Sequence, residues 1–282
     1  MSREKSISQH FLEKKQKGEK LCLLTCYDYS FAKALDKAGL DAVLVGDSLA
    51  NVVLGYAFTK EVGIEEMLKH TQAVRKAMER TFVIADMPFS AYQIDREKGV
   101  ENALRFIEES QADCVKLEWF ENFPYTAENI IKKGIPVMGH IGLTPQTADK
   151  LGGFKVQARQ SFEAERVFQQ AKLCQEIGCF SLVLECVPYK VSEIIASKLK
   201  IPVIGIGAGK GCDGQILVLY DLLGLTFGKV PKFVRKYADM ASLINSAAQS
   251  FIEDVIAGRF PKEEESFSIN QEEFNKFKEA VG

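Results

Sequence analysis

The chain has 282 residues, 46% of them hydrophobic and 26% charged, with 36 Lys and Arg against 38 Asp and Glu and a net charge of −2. Such values exclude collagen-like, low-complexity and disordered chains. With a pI of about 6.1 the chain also lacks the basic stripe of a nucleic-acid binder, and its length suits one α/β barrel of about 250 residues that needs no disulfides.

Residues 1–20 mix Lys, Arg and Glu with no apolar core. They read as a helical extension, not as a secretory or mitochondrial leader. No apolar run reaches the about 18 residues that cross a bilayer, so a cytoplasmic location is expected. Lys14-Lys15 and Lys132-Lys133 are short basic pairs among acids, expected on solvated helix faces.

From Leu21 onward one pattern repeats: a short apolar run that ends on a polar residue, a loop, then helical spacing. The apolar runs are 21–26, 42–46, 81–85, 114–117, 136–139, 180–184, 202–206 and 216–219. They are continuous rather than alternating, as strands buried on both faces should be. Helical stripes lie between them, clearest at Ile64, Met67, Leu68, Thr71, Val74 and Met78, and again at Phe168, Ala171, Cys174 and Ile177. Gly39, Gly134 and Gly178 stand where helices should stop. Pro136 and Pro202 stand where strands should start. Eight strands alternating with helices predict a (β/α)8 TIM barrel, with an open doubly wound sheet as the rival.

The seven cysteines form no CxxC pair and mostly lie in apolar runs. They read as buried free thiols of a reducing compartment. Residues 232–282 read as an additional C-terminal helical segment, with Tyr237, Met240, Leu243, Ile244, Ala247, Phe251 and Val255 in one apolar stripe and Phe267 and Phe274 as docking residues in a charged tail. Without an internal repeat or linker, 1–282 reads as a single domain.

Barrel enzymes carry their chemistry at the C-terminal ends of the strands. There the sequence places Tyr27-Asp28, Asp47-Ser48, Asp86, Lys116 with Glu118, His140, Glu185 and the glycine run 205–209. Any one of these reads equally as a loop cap; a succession of ionisable groups on one rim reads as a site. Asp47, Asp86 and Glu118 belong to consecutive strands, and crowded carboxylates need a cation or protons. Hard oxygen ligands without Cys or His suit Mg²⁺, the alternative being a hydrogen-bonded acidic cluster without metal. Lys116 and Glu118 alternate, which points both into the barrel; Lys116 either stabilises a developing oxyanion or balances Glu118. Glu185 ends an apolar run, so desolvation is expected to make it a general base, with a strand cap as the other reading. His140 is assigned to substrate contact or to support of the ligands. His10 and His70 fall on predicted helices as surface or packing residues. The run Gly205-Ile206-Gly207-Ala208-Gly209 either cradles a phosphate or allows close backbone packing.

Ordered blocks of the chain resemble the ketopantoate hydroxymethyltransferase family. They include Thr25-Cys26-Tyr27-Asp28-Tyr29, Val45-Gly46-Asp47-Ser48-Leu49, Ala85-Asp86-Met87-Pro88-Phe89 and Val115-Lys116-Leu117-Glu118. Further on come Gly139-His140-Ile141-Gly142-Leu143-Thr144-Pro145-Gln146, Gly152-Gly153-Phe154-Lys155-Val156-Gln157, Leu184-Glu185-Cys186-Val187-Pro188 and Cys212-Asp213-Gly214-Gln215. The likeness runs from about residue 20 to about residue 265. It implies a barrel of the phosphoenolpyruvate/pyruvate type and hydroxymethyl transfer from 5,10-methylenetetrahydrofolate to 3-methyl-2-oxobutanoate, through a metal-stabilised enolate, in pantothenate and coenzyme A biosynthesis. It implies one Mg²⁺ per subunit on Asp47, Asp86 and Glu118, oxoacid contacts from Asp47, Ser48, Asp86 and Lys116, Glu185 as proton acceptor, and a homo-oligomer, typically a decamer. Two departures stand out: Ala50-Asn51 where the family usually has Gly-Met, and Trp119-Phe120 where it has small glycines, which sets large rings beside a proposed ligand. The alternatives are a metal-dependent C–C lyase of the isocitrate lyase or phosphoenolpyruvate mutase kind, and a non-catalytic oxoacid-binding barrel.

Overall fold

The computed structural model describes residues 6–228 and 230–282; residues 1–5 of the expected N-terminal extension lie outside them. The chain divides into two compact units, residues 1–222 with 226–235, and residues 223–225 with 236–282.

In the first unit α1 (Ile7–Lys17) leads into β1 (Leu21–Thr25), α2 (Tyr29–Leu35), β2 (Ala42–Val45), α3 (Leu49–Val52), α4 (Ile64–Ala77), β3 (Phe82–Asp86), α5 (Phe89–Tyr92), α6 (Arg96–Glu108) and β4 (Cys114–Glu118). There follow α7 (Phe123–Lys132), β5 (Val137–Gly142), α8 (Ser161–Glu176), β6 (Ser181–Glu185), α9 (Tyr189–Lys198), β7 (Val203–Ile206), β8 (Gly214–Leu217) and α10 (Leu219–Leu223). All eight strands are parallel and close in sequence order, β8 pairing with β1. The open sheet is thereby ruled out. The predicted helix stops Gly39, Gly134 and Gly178 all have positive φ. Pro136 and Pro202 precede their strands, and their carbonyls accept from Val115 N and Leu182 N. β5 runs three residues past its expected end, and the last strand is displaced by two residues. It begins at Gly214, where an added Cβ would lie 2.5 Å from the Leu21 carbonyl oxygen, so a residue that reads as loop is a point where two strand backbones meet.

Strand alternation divides the apolar side chains into two layers. Val43, Val45, Val83, Ala85, Val115, Leu117, Leu182 and Leu184 face the surrounding helices in one core cluster. Leu21, Leu23, Ala42, Leu44, Phe82, Ile84, Cys114, Met138, Val183, Ile204 and Ile216 fill the barrel from inside, and Ile7 and Phe11 of α1 join them. Each such burial contributes about 1.5–3 kcal/mol. The helix α1 thus closes the N-terminal end of the barrel, with a capping box at Ser6 and Gln9. Lys14 and Lys15 are not on the expected solvated face. Lys14 Nζ lies 2.8 Å from Asp41 and Lys15 Nζ 2.7 Å from Asp213. Their acids come from loops 27 and 198 residues away, which no local pattern reveals. His10 also contacts Asp41, at 2.7 Å. Lys132 is exposed and pairs with Glu128, as expected. Of the cysteines, Cys22 is exposed and corrects the expectation of burial; the others are buried or half-buried, and all are free.

In the second unit α11 (Met240–Ile256) is followed by α12 (Gln271–Val281). Residues 232–239 are not helical as expected. Asp239 caps the helix, its carboxylate accepting from Ser242 Oγ at 2.7 Å, and so fixes the start at Met240. Leu243, Ile244, Phe251 and Val255 of the predicted stripe are exposed. Phe267 is fully exposed, and Phe274 lies under the Lys278 ammonium, 4.8 Å from its ring centre.

Candidate active site

The inner positions change from apolar to polar along the strands. On β4, Cys114 is inside the apolar core while Lys116 and Glu118, two and four residues on, face the C-terminal end. Strand register then sets the pairs: Asp86 stands beside Lys116, Glu118 beside His140, and Gly142 beside Glu185. All seven residues expected at the site, Asp47, Ser48, Asp86, Lys116, Glu118, His140 and Glu185, line one cavity of about 790 Å³.

Its floor is a charged network. Lys116 Nζ lies 2.8 Å from Asp86 Oδ1. The backbone N–H of Asp47 donates to Asp86 Oδ2 at 3.1 Å. His140 Nδ1 is 3.3 Å from Lys116 Nζ and 3.5 Å from Glu118 Oε1, and its Nε2 is 3.1 Å from Glu185 Oε2. Asp86 Oδ1, Glu118 Oε1 and His140 Nε2 are buried yet make no hydrogen bond of good direction, so these are contacts of charge. Burial, aided by Asp47 and Glu118, pushes the Asp86 carboxyl up to about 8, against the pull of Lys116. Burial likewise raises Glu118. Burial works against the Lys116 charge, but Asp86, Glu118 and Asp47 hold its pKa well above the ordinary lysine value. Burial and Lys116 oppose a charge on His140; the close carboxylates of Glu118 and Glu185 outweigh them and push it up to about 9.

Glu185 corrects one expectation. Its sequence neighbours Leu182 and Leu184 belong to the outer core layer, because alternate residues face opposite sides of a strand. The carboxylate is half-buried and meets His140 rather than an apolar pocket. Gly142, with φ +90°, lets β5 approach: a Cβ there would lie 2.3 Å from the Glu185 carbonyl oxygen.

Two further residues complete the network. Gln146 follows β5 in a short turn started by Pro145 and is 1% exposed. Its N–H donates to Glu118 Oε2 at 3.0 Å and its amide to Asp47 Oδ2 at 3.0 Å. Its side-chain oxygen accepts from Tyr92 Oη at 2.7 Å, which in turn accepts from the Glu118 N–H at 3.0 Å. A polar residue just after a strand-ending proline turn was the available signal. Tyr27 Oη is 2.8 Å from Ser48 Oγ, while Asp28 is a helix cap, accepting from Phe31 N at 2.9 Å.

The glycine run 205–209 serves packing. A Cβ at Gly207 or Gly209 would lie 2.6 Å from the Phe233 ring or 2.3 Å from Tyr189. The rings after Glu118 turn away from the site: Trp119 stacks on Phe123 at 5.0 Å and Phe120 meets Tyr92 edge-on at 5.4 Å. Neither is among the cavity-lining residues. In the other departure, Ala50 is buried and the Asn51 amide donates to the Tyr56 carbonyl at 2.9 Å.

The donor chemistry suits a divalent cation: the carboxylates of Asp47, Asp86, Glu118 and Glu185 meet in one cavity beside Lys116 and His140, and two buried carboxylate oxygens have no directed partner. Among the described residues no group of three or more His, Cys, Asp or Glu side chains stands placed to hold a metal ion. Mg²⁺ commonly takes one or two carboxylates and completes its shell with water and substrate oxygens.

The chain matches the model of the ketopantoate hydroxymethyltransferase family over residues 5–263. The 3-methyl-2-oxobutanoate hydroxymethyltransferase of Parabacteroides distasonis is 45% identical over 263 residues, covering 93% of this chain and 96% of that protein. That of Syntrophus aciditrophicus is 47% identical over 253 residues, covering 90% and 93%. Among solved structures, 2,3-dimethylmalate lyase, a phosphoenolpyruvate mutase/isocitrate lyase superfamily member, aligns with a TM-score of 0.60 at 12% identity over 99% of this chain and 100% of that one. Phosphonopyruvate hydrolase in complex with oxalate and Mg²⁺ aligns at 0.60 and 11% over 98% of each chain. At such identities the likeness concerns the fold.

Proposed function

The chain belongs to the ketopantoate hydroxymethyltransferase family, and on that premise we propose how it makes ketopantoate. The hydroxymethyl group comes from 5,10-methylenetetrahydrofolate and is joined to C3 of 3-methyl-2-oxobutanoate. Water supplies the hydroxyl oxygen and tetrahydrofolate leaves, giving 2-dehydropantoate for pantothenate synthesis. The observation that carries this reading is the meeting of Glu185, Lys116 and His140 with the carboxylates of Asp47, Asp86 and Glu118 in one cavity.

Glu185, held at the end of β6 by His140 at 3.1 Å, takes the C3 proton. Lys116, charged and buried, faces the oxygen on which negative charge grows as that proton leaves. Ser48, held by Tyr27, donates to the oxoacid, as do Lys116 and His140, while Asp47 and Asp86 complete its surroundings. Asp47, Asp86 and Glu118 would hold one Mg²⁺ per subunit, and Gln146 keeps Asp47 and Glu118 on a common strut. When bound, the ion supplies Lewis-acid polarisation of the keto group. The low-dielectric floor strengthens each of these contacts and keeps water from competing. We further propose a homo-oligomer, a decamer by likeness to the family, working in the cytoplasm; among the described residues no helix is long and apolar enough to cross a membrane.

The test is product formation from 3-methyl-2-oxobutanoate, with and without methylenetetrahydrofolate and Mg²⁺. 2-Dehydropantoate should form only when both are added. Cleavage of a C–C bond without folate would replace this reading with that of a metal-dependent lyase.

A further inference from the structure

Gln146 stands in the turn after β5, yet it bonds to the ends of three other strands. Its Nε2 donates to Asp47 Oδ2 after β2 and to the carbonyl of Met87 after β3, each at 3.0 Å. Its backbone N–H donates to Glu118 Oε2 at the end of β4, also at 3.0 Å. Met87 directly follows Asp86. The three carboxylates read as ligands are thus held by one neutral residue, Asp47 and Glu118 directly and Asp86 through its neighbour. One oxygen of Asp47 and one of Glu118 are committed to Gln146, while Glu118 Oε1 keeps no directed bond.

An amide can do this in one orientation only. The Asp47 carboxylate and the Met87 carbonyl accept and cannot donate, so the nitrogen must face them. A half-turn of the amide would set oxygen against oxygen at both. The other side is fixed by Tyr92 of α5. Its Oη accepts from the Glu118 N–H and from Gln93 Nε2, each at 3.0 Å. Both lone pairs of the hydroxyl are thereby engaged, and its proton goes to Gln146 Oε1 at 2.7 Å. Gln93 Nε2 is a second donor to that oxygen, at 3.0 Å. Every hydrogen-bonding position of the Gln146 amide is then filled, two as donor and two as acceptor. Tyr92 is fully buried, and Phe120, one of the two rings that depart from the family pattern, braces it edge-on at 5.4 Å. Neither Tyr92 nor Gln146 lines the cavity.

We propose that Tyr92 is a positioning residue of this site: its hydroxyl fixes the orientation of the Gln146 amide, and through Gln146 it sets which oxygens of Asp47 and Glu118 are left to face a divalent cation. Partners behind the ligands orient them and tune their affinity for a metal. The buried network is fully satisfied on the Gln146 side, so it holds one arrangement rather than several. The inference rests on the Mg²⁺ reading of the site.

The test compares the full-length wild type, Tyr92→Phe, Gln146→Met and the double variant. Mg²⁺ is titrated by calorimetry with 3-methyl-2-oxobutanoate present, and melting temperatures are taken alongside. Tyr92→Phe removes one oxygen and keeps the ring; it should weaken Mg²⁺ binding about tenfold. Gln146→Met, which keeps the N–H to Glu118, should weaken it by up to about a hundredfold. The double variant should bind no more weakly than Gln146→Met, because Tyr92 acts through an amide that is no longer there. Unchanged Mg²⁺ affinity in Tyr92→Phe, at whatever Tm, makes the hydroxyl a packing group and overturns the inference while the metal reading stands. Losses that add in the double variant overturn it too, since Tyr92 would then act on Glu118 without Gln146. If Gln146→Met does not fold, the Mg²⁺ affinity of Tyr92→Phe decides alone. A wild type that binds no Mg²⁺ overturns the metal reading and this inference together.

Discussion

At the N-terminal end of the barrel the carboxylates of Asp41, Asp113 and Asp213 are firmly partnered, while at the C-terminal end two carboxylates each keep one oxygen without a bond of good direction. Asp41, Asp113 and Asp213 accept from the strand N–H groups of Cys22, Val83 and Val203, each at 2.8 Å, and also pair with Lys14, Arg75 and Lys15. Asp86 Oδ1 and Glu118 Oε1, more deeply buried, lack a directed bond. Buried polar groups left unsatisfied cost about 1–3 kcal/mol or more when charged. The first set therefore holds the closed end together. The second keeps oxygen atoms available at a cost in stability, as functional sites commonly do.

If that contrast is right, substitutions at the two ends should separate activity from stability. The largest effect is expected for Glu185→Gln, which should slow C3 proton exchange by about a thousandfold, with oxoacid binding largely intact; unchanged exchange, read by proton NMR, removes Glu185 as the base. Next, Asp86→Asn should shift the Mg²⁺ titration of oxoacid binding by on the order of a hundredfold while leaving the melting temperature close to wild type; overlapping titrations would end the ligand assignment. Asp41→Ala tests the other end. Leaving Lys14 and the Cys22 N–H without their acceptor should cost about 2 kcal/mol, seen as a Tm lower by roughly 5 °C, with kcat unchanged. A fall in kcat at constant Tm would abolish the distinction between the ends.

The smallest effect concerns acid. Burial pushes the Asp36 carboxyl up, but the backbone N–H groups of Thr81 and Arg80 outweigh it and hold the pKa below the ordinary value. The folded state therefore keeps this charge more firmly than the unfolded chain. Its contribution is complete above the unfolded value of about 4 and disappears as pH falls through the lower folded value. Asp36→Ala should melt roughly 2 °C lower at pH 7, and the gap should close below about pH 4. A gap that persists in acid would assign the effect to packing.

Much of the fold was legible because it depends on local repetition. Continuous apolar runs marked six strands within one residue at each end; β5 runs three residues past its expected end, and the eighth was displaced by two because Gly214-Gln215 reads as loop until β1 lies against it. The seven cavity residues were legible for the same reason, each standing at or just past a run's end. Gln146 was missed because nothing in a turn reveals that its amide reaches a carboxylate 99 residues earlier in the chain. Glu185 was located correctly and its surroundings misread, because neighbours along a strand are not neighbours in space.

The sequence by itself determined that eight strands would bring acids, a lysine and a histidine to one rim, since period-two alternation and strand length are properties of a short stretch of backbone. Only the closed barrel decided the pairings: Lys116 to Asp86, His140 to Glu118 and Glu185, Lys14 and Lys15 to acids at the opposite end. Partners far apart in the chain are chosen by register and closure, and hydrogen bonds and charges act only over the few ångströms that those long-range constraints set.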